Sequence, residues 1–155
     1  MSNSQRLDIF EPNDLTALIC ALEPEFQNLF IQNLTELNYK IHTGISIDDL
    51  VLKLRTHTYD LLIIPEILDC PDLESNRVLQ EAISAPAANR HRQFIVLIGS
   101  NFITADETQA FEHSVDMVLA QAQIAHFRPV LRRTLARTQD FYAPFRESLH
   151  KVGAE

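Results

Sequence analysis

Four short apolar runs in this 155-residue chain lead into residues that could carry chemistry. Thr16–Cys20 (TALIC) gives way to Ala21, Leu22 and Glu23, and Leu61–Ile64 gives way to Pro65 and Glu66. Phe94–Ile98 precedes Gly99 and Ser100, and Val115–Leu119 lies just before Gln121. Phosphoryl transfer to a carboxylate needs a nucleophile, a cation to neutralise the incoming oxygens, and a positive group to hold the product. Hard divalent cations need oxygen ligands, usually including a carboxylate. This set meets those needs poorly. Proline has neither a carboxylate nor a backbone N–H, Ala21 and Leu22 have no side-chain oxygen, and Gln121 is neutral. Two readings stay open: a small-ligand pocket reusing Glu23, Glu66, Ser100 and Gln121, or a closed remnant. The remnant is favoured, because pockets need convergent polar groups and few are present.

The rest of the chain adds no catalytic set. Its glycines are Gly44, Gly99 and Gly153, too few for a phosphate-cradling loop. His42, His57, His91, His113, His126 and His150 include no pair at metal-ligand helical spacing. Cys20 and Cys70 make neither a disulfide framework nor a zinc pattern. The expectation is therefore no enzyme, no catalytic residue, no metal and no cofactor.

Composition narrows the class further. The 46% hydrophobic and 22% charged content is that of a folded chain of one-domain length. A net charge of −8 argues against a nucleic-acid surface. No apolar run approaches the roughly 18 residues of a membrane span. No charged segment followed by an apolar one opens the chain, so the expected compartment is the cytoplasm.

Strands and helices alternate along the sequence. Residues 1–14 read as an arm. After the run at 16–20, Pro24 opens a helix whose face is Phe26, Phe30, Leu34 and Leu37. Tyr39–Thr43 reads as a strand, and Ser46 caps a helix with Leu50 and Leu54 on its face. After Leu61–Ile64 comes a helix over Asp72–Ile83, then a loop over Ala85–Arg92 and the strand Phe94–Ile98. Thr104 and Glu107 form a T-x-x-E capping box for the next helix. The strand Val115–Leu119 and a helix over 122–137 follow. Five such β-α units imply a doubly wound, five-stranded parallel sheet of order 2-1-3-4-5, flavodoxin-like.

From about Leu15 to Arg137 the chain resembles a response-regulator receiver domain (CheY-like). Leu18-Ile19-Cys20-Ala21-Leu22-Glu23-Pro24 resembles the family's first strand and acidic turn. Asn38-Tyr39 resembles its Gly-Tyr before the second strand. Tyr59-Asp60-Leu61-Leu62-Ile63-Ile64 resembles the lead-in to its phosphorylated aspartate, and Val115–Leu119 the strand before its lysine. The resemblance implies metal carboxylates where Ala21 and Leu22 stand and an acceptor aspartate where Pro65 stands. It implies a proline at Asp69, a switch hydroxyl near Ser100, a lysine at Gln121 and a proline at Ala122. The expected protein is a degenerate, phosphorylation-independent pseudo-receiver.

Two surfaces carry interaction expectations. In receivers, the face of the fourth helix, fifth strand and fifth helix often forms a symmetric dimer through opposite charges. Here that face would offer Asp106, Glu107, Glu112 and Asp116 against Arg128, Arg132, Arg133 and Arg137. The alternative is a solvated basic helix face with weak internal pairs. Residues 138–155 read as a helical extension or linker. Leu135, Thr138, Tyr142, Phe145, Leu149 and Val152 follow alternating spacings of three and four, interrupted by Pro144. The functional expectation is an interaction or dimerisation module of bacterial-type two-component signal transduction, the amino-terminal regulatory domain of a larger regulator. Its partner would be another protein or a fused output domain. The alternative is a small-ligand sensor using the crevice.

Overall fold

A computed structural model describes Glu11 and residues 13–137. Most of the predicted arm over 1–14, and Tyr142, Phe145, Leu149 and Val152 of the predicted extension, lie outside the described residues.

The strands are β1 (Leu15–Ile19), β2 (Tyr39–Thr43), β3 (Leu61–Pro65), β4 (Phe94–Gly99) and β5 (Met117–Ala120). They form one sheet in the order β2-β1-β3-β4-β5, and every neighbouring pair is parallel. The helices are α1 (Pro24–Glu36), α2 (Ile47–Thr56), α3 (Arg77–Ile83), α4 (Ala87–Arg92), α5 (Glu107–Glu112) and α6, which covers residues 127–137. This is the doubly wound flavodoxin-like architecture that the alternation predicts.

Continuous apolar strands follow from burial on both faces. Along β3, Leu61 and Ile63 enter a core with Phe30, Leu34, Phe127 and Leu131 of α1 and α6. Leu62 and Ile64 enter the opposite core, with Leu50, Val78, Leu79 and Ala110 of α2, α3 and α5. These four side chains, Leu61 to Ile64, are fully buried. Each such burial stabilises by about 1.5–3 kcal/mol.

Local chemistry explains the ends of the elements. Ser46 caps α2 as predicted, its Oγ accepting from the Asp49 N–H at 3.1 Å. Asn38 takes φ 68°, the left-handed conformation that closes α1 and that Asn tolerates better than most residues. That explains an Asn where the resemblance expects Gly.

Several boundaries differ from the sequence reading. β1 runs one residue earlier than expected, and β5 starts at Met117 rather than Val115. Asp116 sits just before β5, where its carboxylate accepts from the Ile95 N–H at 2.8 Å and from Arg90 at 3.0 Å. The expected helix over 72–83 is two pieces, a 3-10 turn over Leu73–Ser75 capped by Asp72, and then α3. The expected loop over 85–92 contains α4. The Pro86 carbonyl accepts from the Arg90 N–H, and Arg90 ties that turn to Asp116. The capping box at Thr104 does not form. Asp106 caps α5 by accepting from the Gln109 N–H at 2.9 Å. The Thr104 hydroxyl instead accepts from the Ala120 N–H at 3.0 Å. The expected helix from 122 opens as a 3-10 turn over Gln121–His126, with a kink at Gln123, before α6. No helix among the described residues is long and apolar enough to cross a membrane.

Candidate functional site

The carboxyl ends of β1, β3, β4 and β5 surround a cleft of about 560 Å³. Ala21, Leu22, Glu23, Pro65, Glu66, Ser100 and Gln121 all line it. These residues therefore border one hollow at the end of the sheet. The fold itself brings these residues together: in a parallel sheet every strand delivers its last residue to the same edge.

Pro65 is the last residue of β3 and lies opposite Ile98 of β4. Proline in a central strand normally removes a ladder bond. Here it does not. The Glu66 N–H donates to the Ile98 carbonyl at 2.7 Å, so by alternation the nitrogen of residue 65 faces β1. The β1–β3 register ends at Ile19 opposite Ile63, and the Cys20 N–H closes it on the Ile63 carbonyl at 2.8 Å. The missing N–H therefore falls one step beyond the last paired residues.

The Glu66 carboxylate folds across Gly99. A Cβ at position 99 would fall 2.9 Å from Glu66 Oε1 and 2.7 Å from the Phe102 ring. Only glycine fits there without displacing one of them. The scarcity of glycine was the signal that could have marked this close approach.

Two side chains that sequence reasoning missed hold the rim. Asn76 is fully buried. Its Nδ2 donates to the carbonyls of Pro65 and Glu66, and its Oδ1 accepts from the Leu79 N–H, capping α3. Gln27 donates to the Ala21 carbonyl at 2.6 Å and to the Gly44 carbonyl at 3.4 Å, pinning the loops that follow β1 and β2. The signal for Asn76 was an Asn three residues before an apolar helical face, a capping position.

Glu23, Glu66 and Asp69 make the cleft acidic, and among the described residues no basic one lines it. Asp69 adopts φ 50° on its rim. The donor set does not fit the divalent cation that the resemblance implies. Ala21 and Leu22 offer no side-chain oxygen, and the Ala21 carbonyl is already bonded to Gln27. Among the described residues, no three His, Cys, Asp or Glu side chains are grouped to hold an ion.

The predicted charged face is only partly a set of open charges. Asp106 caps α5, and Asp116 is bonded to Ile95 and Arg90. Arg128 reaches Glu36 on α1, away from the acidic residues expected to face it. Arg137 meets Glu107 at 3.3 Å, within the same chain. Glu112, Arg132 and Arg133 are exposed. Leu135 is partly buried and packs against the core between the sheet, α1 and α6. Phe111 of α5, unmarked by the sequence reading, is 85% exposed beside a cleft that Glu107 and Arg137 also line.

No protein-family model matches the sequence, and no curated relative matches it. Solved structures do. A response-regulator receiver domain protein (CheY-like) of Methanospirillum hungatei superposes with a TM-score of 0.62 at 8% identity, covering 83% of this chain and 98% of that one. The receiver domain of a DNA-binding response regulator from Colwellia psychrerythraea gives 0.61 at 15%, covering 79% and 99%. The receiver domain of a sensor histidine kinase from Pseudomonas aeruginosa, with magnesium coordinated in its active-site cleft, gives 0.59 at 19%, covering 79% and 98%. The chain has the receiver-domain fold.

Proposed function

We propose that this chain is a pseudo-receiver, a protein–protein interaction module of bacterial-type signal transduction that works without aspartyl phosphorylation. One observation carries the reading. The residue at the carboxyl end of the central strand is Pro65, and the side chains beside it are Ala21, Leu22 and Gln121. An acceptor, its metal ligands and a product-holding cation are missing together, and each of these acts only in concert with the others. The output is then a change of partner or of self-association, with a protein partner or a fused output domain as recipient. Phe111, beside the Glu107–Arg137 pair, is the apolar residue that favours self-association on the α5–β5–α6 face. Light scattering on the full chain and on Phe111→Glu tests that part: a dimer that the substitution dissociates supports it, and a monomer in both excludes it.

The central test is incubation with Mg²⁺ and acetyl phosphate, or with Mg²⁺ and beryllofluoride, read by intact mass and amide chemical shifts. The expected result is no adduct and no shift at the mouth of the sheet. A stoichiometric acyl phosphate overturns the reading.

The volume of the cleft favours one second reading, a small-ligand sensor, because drug-sized ligands occupy sites of about 300–1,000 Å³. A thermal-shift screen of nucleotides, quinones and small metabolites tests it. Stabilisation that Ser100→Ala and Gln121→Ala both abolish supports a ligand in the crevice.

A further inference from the structure

We infer that the carboxyl-end mouth of the sheet is a docking track for a basic segment of a partner protein that carries an aromatic or branched apolar anchor. The inference rests on the interaction-module reading above and assigns it a surface.

The apolar lining does not stop at the cleft. Leu22, Leu68 and Asp69 are shared with a second cleft of about 420 Å³, whose far wall is Ile45, Ser46 and Ile47. The two hollows are therefore neighbours on either side of one shared wall. Large apolar side chains stand in water along them: Ile45 is 91% exposed and Ile67 is 53% exposed. Single exposed apolar residues need no explanation, but two of them flanking hollows that share a wall are candidate anchor contacts. A small molecule would fill one hollow and leave the other wet. A peptide segment placing one anchor in the larger hollow and running over the shared wall covers both.

Charge selects the occupant. Among the described residues, Glu23, Asp48, Glu66 and Asp69 line the two clefts, against one basic residue, Arg77, which is bridged to Asp48 at 3.1 Å. Among the described residues, Glu23, Glu66 and Asp69 take part in no ion pair. An acidic rim around an apolar floor attracts Lys and Arg and disfavours acidic partners. A second copy of this chain is a poorer occupant. Its α6 commits Arg128 to Glu36 and Arg137 to Glu107, and although Arg132 and Arg133 are exposed, the exposed positions of that helix carry no aromatic or branched apolar anchor.

The test is selection of a random phage-displayed peptide library on the immobilised full-length protein. The dominant peptide is then synthesised with a fluorescein label and measured by anisotropy. The expected winners pair Lys or Arg with aromatic or branched apolar residues. Affinity should fall about ten-fold in Ile45→Ser with Ile67→Ser, as expected when interface anchors are removed. It should fall about three-fold in each of Glu23→Gln and Asp69→Asn, and decline with salt. Glu112→Gln makes the same change in net charge on exposed α5 and should leave affinity unchanged. The altered side chains are exposed, and Asn accepts the left-handed backbone of position 69. An unchanged thermal midpoint would show that folding is intact. Acidic or uncharged winners overturn the proposal, as does binding indifferent to the Ile45 and Ile67 changes. Displacement of the peptide by a second copy of the chain, seen as a salt-sensitive dimer that Ile45→Ser dissociates, also overturns it. Repeating the binding with Mg²⁺ and beryllofluoride separates the two readings. If the mouth takes no peptide and the reagent forms no adduct, only this surface fails. If an adduct forms and alters binding, phosphorylation independence fails.

Discussion

The Asn76 side-chain amide donates to the Pro65 carbonyl at 2.8 Å, across the loop that leaves β3. The same nitrogen donates to the Glu66 carbonyl at 3.0 Å, while the amide oxygen caps α3. One buried side chain thus fixes both the residue at the strand end and the start of the next helix. Asn76→Ala leaves two carbonyls and one helix N–H without this partner, and we expect it to cost about 3 kcal/mol. Asn76→Asp keeps the cap but turns a carboxylate towards two carbonyls, and should cost at least as much. Urea denaturation checks both. An aspartate variant with the wild-type midpoint would mean that the two carbonyl bonds contribute nothing.

Replacing Pro65 by Asp restores a carboxylate at the strand end without restoring its surroundings. The backbone accepts the change, because β3 pairs with β4 through Glu66 and not through the nitrogen of residue 65. We expect Pro65→Asp to fold and still to show no stable phosphoryl adduct from Mg²⁺ and acetyl phosphate. Adding Leu22→Asp and Gln121→Lys supplies a metal ligand and a cation, and adduct formation should become measurable only in that combination. Intact mass reads the result. Labelling of the single variant would show that the remaining side chains already suffice.

The sheet order was legible because Leu61–Ile64 and Phe94–Ile98 are apolar throughout, the mark of strands buried on both faces. The mouth residues were legible for the same reason, since parallel strands must end at one edge. What sequence reading missed depended on side chains acting at a distance. Asp116 bonds Ile95 and Arg90 and thereby delays the start of β5. Asp106 displaces Thr104 as the cap of α5, and Ala105 between them takes φ 64°. A local T-x-x-E pattern could not reveal that Thr104 bonds to Ala120. Asn76 looked like one polar residue within a helix, because its carbonyl partners lie 10 and 11 positions away. At the mouth, the sequence shows which polar groups are missing, but not how far apart the apolar walls stand.

The two thiols should differ sharply in reactivity. Cys20 directly follows β1, is fully buried among apolar neighbours, and has its thiol pushed well above the ordinary cysteine range by that burial. Cys70 is partly exposed in the loop after β3, where its sulfur accepts from the Leu68 N–H at 3.3 Å. Under native conditions Ellman's reagent should titrate one thiol per chain quickly, and mass mapping should place it on Cys70. Cys20 should react only when the chain opens globally. Equal rates for both would show that the core between β1, β3 and α2 is loosely closed.

Acid should remove one specific contribution from α2. The Asp49 carboxyl is held below its ordinary value of 3.8, first by its hydrogen bonds from the Lys53 ammonium at 2.8 and 2.9 Å, and also by the Ile45 N–H. A depressed carboxyl stabilises the fold above its unfolded value, and that stabilisation is lost as pH falls through the lowered one. The pair is partly exposed, so its contribution is small, about 0.5–1 kcal/mol at neutral pH. Asp49→Asn should therefore lower stability at pH 7 by about that amount, and the difference from wild type should close progressively as pH falls below the ordinary carboxyl value and through the lowered one. Asp72 is lowered in the same direction by the Ser75 hydroxyl and N–H, so the Asp49→Asn variant should itself still lose some stability over this window. Urea melts across pH 2–7 on both proteins read this directly. A gap between them that stays constant into strong acid would show that the Asp49 charge does not carry the contribution.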